Sequence, residues 1–139
     1  MPVLTTERVT IEVLSEDRPY LPVGWTLVGD VEATEGVVVL EHLGFYCFHQ
    51  HWWLGVHLEQ MSDCANSSHM LALLRREDEI PLDWQDDPHV FTGTVARDEQ
   101  EVRRVPGIYW ESDQWNRGWV SLEDEIYYNT RVVRVCEPS

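Results

Sequence analysis

Residues 45–58 read FYCFHQHWWLGVHL, and three imidazoles, those of His49, His51 and His57, fall within this run. Imidazole nitrogens are good ligands for zinc, iron, nickel and copper, and two histidines two positions apart on a strand can aim both rings at one ion. Cys47, or a carboxylate such as Glu41 or Glu59 on a neighbouring strand, would add a ligand. An open coordination position would then let bound water be activated for hydrolysis.

If the segment is extended, alternate side chains part to opposite faces. Tyr46, Phe48, Gln50, Trp52, Leu54, Val56 and Leu58 share one face, which is almost wholly apolar and suits a core. Phe45, Cys47, His49, His51, Trp53, Gly55 and His57 share the other. That second row also suits a partly wetted sheet face, where histidine and tryptophan each offer an apolar body and a polar tip. A strand is therefore the first reading, with no cofactor. A site for zinc or another transition metal, serving a metal-dependent β-barrel enzyme, is the alternative. The H-x-H pair is similar to the histidine pair of the cupin metal motif, but that family places a glutamate after the second histidine where this chain has Gly55 and Val56. No family membership is read from it.

A second constellation spans residues 109–119, YWESDQWNRGW. Aromatic rings stack while amides, carboxylates and guanidinium fix orientation, a mixture that suits a flat ligand, a sugar or a basic peptide. Trp110, Asp113, Trp115, Asn116 and Arg117, with Trp53, are the candidate ligand-binding residues. Trp115 lies in a polar, turn-like setting and is expected to be exposed, whereas Trp110 and Trp119 taken singly suit a core. Other chemistry is poorly signalled. Ser67, Ser68 and His69 are adjacent without triad spacing, and neither a G-x-S-x-G, a P-loop nor a G-x-G-x-x-G is present.

The charge narrows the partners. The 139 residues carry 25 Asp and Glu against 10 basic residues, for a formal charge of -15, and every basic residue is arginine. Direct nucleic-acid binding and anionic membrane surfaces are disfavoured, because both need a basic face. Basic proteins and small ligands remain, and the charge also serves solubility. The segment EDEIPLDWQDDPH, Glu77 to His89, reads as an acidic loop able to receive a basic partner.

The elements that must position these groups are mostly strands. Arg8 to Val13 alternates polar and apolar with period two. Pro22-Val23-Gly24 marks a turn into Trp25–Val31, and Glu35-Gly36 leads into Val37–Leu40, an apolar run suited to burial on both faces. Leu43-Gly44 turns the chain again. Asn66, Ser67 and Ser68 offer an N-cap to a helix carrying Met70, Leu71, Leu73 and Leu74, ending before Pro81. His89–Ala96 and Glu101–Val105 form a hairpin over ARDEQ, Pro106-Gly107 fits a type II turn, and Ile108–Glu111 resumes as a strand until Asn116-Arg117-Gly118. Ser121–Asp124 resembles a capping box before a last strand, Thr130–Val135, which competes with a strand from Glu125.

Scarce alanine and plentiful valine, threonine, tyrosine and tryptophan support the β reading. The expectation is a single mainly β (α+β) domain of about seven strands, in a barrel-like or strongly bent antiparallel sheet with one or two short helices. Pairing across a homodimer would hide its edges. Three cysteines without framework spacing, and no basic-then-apolar leader at the N-terminus, point to a reduced cytoplasmic protein. The function that fits is a non-catalytic acidic binding protein, engaging a basic partner or small ligand through aromatic and acidic surface.

Overall fold

The structure is a computed structural model that describes residues 5–18, 21–30, 35–44, 52–53, 64–121, 125–126 and 130–136. It is mostly β, with one α-helix among the described residues. The strands are β1 (Thr5–Val13), β2 (Thr26–Asp30), β3 (Gly36–Gly44), β4 (Trp52–Trp53), β5 (His89–Val90), β6 (Thr94–Arg97), β7 (Arg103–Glu111), β8 (Gln114–Ser121), β9 (Glu125–Ile126) and β10 (Arg131–Cys136).

Eight strands form one sheet in the order β1-β3-β10-β5-β7-β6-β2, with β8 on the remaining side of β7, while β4 and β9 pair separately. The sheet does not close on itself through the described strands. Its pairings are antiparallel except β10 with β5, so the expected antiparallel sheet is a mixed one. Among the described residues no helix is long and apolar enough to cross a membrane.

The alternation in β1 does what its period dictates: Val9, Ile11 and Val13 are buried and Arg8, Thr10 and Glu12 exposed. Ile11 faces Val38 and Val9 faces Leu40 on β3, while Val133 on β10 joins the same layer. The helix α1 (Ser67–Leu74) covers this layer, its Met70, Ala72 and Leu73 packing with Ile80, Trp84, Phe91, Ile108 and Trp115. A helix of two turns is unstable alone, so this burial, about 2 kcal/mol for each enclosed large side chain, holds it in place.

The cap is as expected: Asn66 Oδ1 accepts from Ser68 N at 2.9 Å and His69 N at 3.2 Å, and His69 Nδ1 accepts from Asn66 N at 2.9 Å. Histidine thus takes the place that glutamate or glutamine holds in a capping box.

Several sequence expectations are corrected. Val37 is 71% exposed, so the apolar run is not buried on both faces at its start. β3 continues through Leu43 and Gly44 instead of turning there. The expected strand from His89 to Ala96 is two short strands separated at residues 91–93, and the acidic segment is coiled into two 3-10 turns, Glu77–Glu79 and Leu82–Asp86.

Pro106-Gly107 lies inside β7 and Asn116-Arg117-Gly118 inside β8. The reversal falls instead on Ser112 and Asp113, both with positive φ (57° and 58°). Proline is tolerated in β7 because of where it sits. β5 pairs with Ile108 and Gly107 and β6 with Arg104 and Arg103, so Pro106 occupies the junction where one neighbour hands over to the other. Its carbonyl still accepts from Phe91 N at 2.9 Å. Ser121 ends β8 and Glu125–Ile126 are extended; residues 122–124, on which the expected capping box depends, lie outside the described residues.

Candidate functional site

The β7–β8 hairpin carries most of the aromatic constellation, and its register sorts it. Directly opposed residues share a face. Trp110 opposes Trp115, Ile108 opposes Arg117 and Pro106 opposes Trp119, all on the side turned toward α1; Tyr109 opposes Asn116 on the other side. Trp115 is only 9% exposed, within the core cluster, against the expectation that it is the exposed tryptophan. Its ring meets that of half-buried Trp110 edge to face at 5.5 Å, so cross-strand pairing supplies the enclosure that its polar neighbours in sequence conceal.

Asn116 is occupied structurally, its Nδ2 donating to the carbonyls of Glu111 and Gln114 at 3.1 Å each, which braces the hairpin. Asp113 stands exposed at the tip. Trp53 belongs by backbone to β4, opposite Glu125 in the small second sheet.

Arg117 is the member placed at a cavity. Together with Trp119, Gly118 and Pro106 from the hairpin and Ser67, Met70 and Leu71 from α1, it lines a pocket of about 120 Å³. Trp119 is held there by Trp25, ring to ring at 5.2 Å, and Trp25 is covered in turn by the guanidinium of Arg104 at 5.8 Å. Nothing in the local sequence joins α1 to this hairpin, so only Arg117 of the pocket residues was legible beforehand as a binding residue.

His49, His51 and His57 lie outside the described residues, as do Cys47 and Glu59. Of the stretch that contains them, Trp52 and Trp53 are extended. Among the described residues no group of three potential ligands is disposed to hold a metal ion.

Charged groups on the sheet are arranged in a row that the sequence does not announce. Arg8, Glu41 and Arg134 stand side by side on β1, β3 and β10, and Cys64 bridges to Arg134 next in line. Glu41 is fully enclosed; it accepts from Arg8 Nε at 3.3 Å on one oxygen and from Arg134 Nε on the other. Burial opposes its ionisation, but Arg134, the Cys136 thiol and Arg8 outweigh burial and hold its carboxyl below the usual range. The same burial, with the Glu41 charge beside it, pushes the Cys136 thiol up, away from nucleophilic thiolate.

Elsewhere Arg75 pairs with Asp17 at 2.5 Å, Arg104 with Asp98 at 2.7 Å and Arg131 with Asp87 at 3.1 Å. Arg76 and Arg97 reach Glu79 and Glu101 more loosely, at 3.6 and 3.7 Å. Arg117 has no such carboxylate partner among the described residues. Glu12, Glu16 and Glu35 line an open groove beside Leu14 and Gly36; nearby, Arg18 donates to the Ser15 carbonyl at 3.1 Å and Arg75 to the Glu12 carbonyl at 3.0 Å. Comparison with known protein families, with curated proteins and with solved structures finds no match for this chain.

Proposed function

We propose that this chain is a non-catalytic binding protein that engages a basic protein partner through its acidic surface. The observation that carries the reading is how the positive charge is spent: at least seven of the ten arginines (Arg8, Arg75, Arg76, Arg97, Arg104, Arg131 and Arg134) bond to carboxylates among the described residues. The remaining acids are left to project an uncompensated negative field. The groove at Glu12, Glu16 and Glu35 concentrates it, with three carboxylates around an opening wide enough for an arginine or lysine side chain. Such complementarity acts on encounter rate and partner choice more than on affinity, and salt screens it within about 10 Å.

A labelled arginine-rich peptide titrated by fluorescence anisotropy tests this, with an acidic peptide as control. Binding is expected at low salt and is expected to weaken as salt rises. The triple variant Glu12→Gln, Glu16→Gln, Glu35→Gln is expected to weaken it about tenfold, at roughly 0.5 kcal/mol for each exposed charge. A triple of equal charge elsewhere, Glu77→Gln, Asp78→Asn, Asp86→Asn, should cost less. No binding at low salt, or equal effects from both triples, refutes the groove.

A further inference from the structure

The pocket between α1 and the β7–β8 hairpin has a chemistry opposite to that of the surrounding surface. Its walls are the apolar faces of Met70, Leu71 and Pro106 and the indole of Trp119, and its polar groups are Arg117 and Ser67. Arg117 is exposed and, among the described residues, makes no ion pair, while its neighbour across the strand is Ile108. A guanidinium brings only donors, five N–H groups in a planar fork that matches a carboxylate.

Ser67 accepts from the Thr94 hydroxyl at 3.2 Å, which leaves its own O–H as a second donor. The first amides of α1 are already used: Ser67 N donates to Thr94 Oγ1 at 2.8 Å, and Ser68 N and His69 N donate to Asn66 Oδ1. An incoming anion would therefore be read by Arg117 and Ser67, not by the helix end. One arginine balances one negative charge, which favours a carboxylate over a phosphate. A volume of about 120 Å³ holds a short branched aliphatic group.

We infer that this pocket is a receptor for a carboxylate borne on a small apolar group, with Arg117 as its charge partner, Ser67 as a second donor, and Met70, Leu71, Pro106 and Trp119 as the apolar wall. The site is independent of the acidic groove, and neutralising Glu12, Glu16 and Glu35 should leave it unchanged. Two sources present this chemistry: a free short-chain acid, or the C-terminal residue of a polypeptide.

The test is a ligand-observed NMR titration of the full chain with isovalerate and isovaleramide, and with a short peptide ending in leucine and its C-terminal amide. The acids are expected to bind, isovalerate with a Kd of about 1 mM as befits so few atoms, and the amides at least tenfold more weakly. Arg117→Gln should erase the preference for acid over amide. Arg117→Lys, which keeps the charge and gives up the fork, should retain part of it. Leu71→Trp, which fills the pocket and leaves Arg117 intact, should abolish binding of acid and amide alike. Isovalerate binding as tightly as the peptide assigns the site to a free acid; binding by the peptide alone assigns it to a chain terminus. Amides that bind as well as acids, acid binding unchanged in Arg117→Gln, or no binding of either acid overturns the proposal.

Discussion

Acidification should unfold this protein earlier than its carboxylates alone would allow, and the cause should be His69. The side chain is 3% exposed, and burial pushes its pKa down from 6.5 to about 4. Its Nδ1 serves as an acceptor for Asn66 N, a role that only the neutral ring can fill. In the unfolded chain the ring protonates near 6.5, in the folded chain only near 4, so the unfolded state binds the proton first as pH falls. The stability that His69 contributes is complete above 6.5, is lost progressively between there and about 4, and falls no further below that.

Linkage at 1.36 kcal/mol per pKa unit puts the loss at about 2 kcal/mol by pH 5 and about 3 kcal/mol by pH 4. That is a large part of an ordinary domain's stability of about 5–15 kcal/mol. Carboxylate protonation also relieves self-repulsion in so acidic a chain and acts with the opposite sign, so the comparison must be differential. Urea unfolding of the native protein and of His69→Gln at pH 7, 6 and 5 supplies it. Glutamine keeps an acceptor at the capping-box position and does not titrate. The variant is expected to start less stable at pH 7 and to lose about 2 kcal/mol less than the native protein by pH 5. Parallel losses with unchanged m-values would refute the claim that His69 is held neutral by burial.

Other consequences are open to the same kind of measurement. Glu41→Gln removes the charge shared by Arg8 and Arg134 and one of the two oxygens that accept from them, and because those guanidinium groups are half exposed and can hydrate, urea unfolding should show a loss of about 2 kcal/mol. Glu41 and Asp98 both titrate below their ordinary values, Asp98 chiefly through the Arg104 bond. Their stabilisation is thus present above 4.5 and 3.8 respectively and is lost as pH falls further, in a lower window than that of His69. Gly93→Ala would place a methyl 2.8 Å from the carbonyl oxygens of Cys64 and Ala65, where Gly93 N donates to Ala65 O; a loss of about 1–3 kcal/mol is expected, and a neutral result in thermal melts would mean that this crossing is not tight. Replacing Ser112-Asp113 by Asn-Gly suits two consecutive positive-φ positions and should raise stability by about 1 kcal/mol, seen as a higher urea midpoint.

Within the described residues, the elements that depend on a few neighbouring residues were legible. The alternation of β1, the turn at residues 22–24, where Trp25 N returns to Pro22 O at 3.1 Å, and the Asn66 cap stand where the sequence puts them, and the hairpin expected over residues 96–100 forms with its loop two residues later, at 98–102. Side-chain alternation, capping and glycine turns are set by local dihedral preference, so the residues involved announce them.

What failed did so where a distant partner decides. Pro106-Gly107 and Asn116-Arg117-Gly118 carry turn-like residues, yet pairing along the whole of β7 and β8 overrides them, and two unremarkable residues, Ser112 and Asp113, take up the turn. Trp115 has polar neighbours in sequence and apolar ones in space, and Arg117 faces a helix some forty residues earlier in the chain. In sequence Glu41 is a carboxylate close to the histidine stretch, and only the assembled sheet brings an arginine to each side of it. Burial and charge pairing are properties of the strand alongside, and which strand lies alongside was settled only by the assembled sheet.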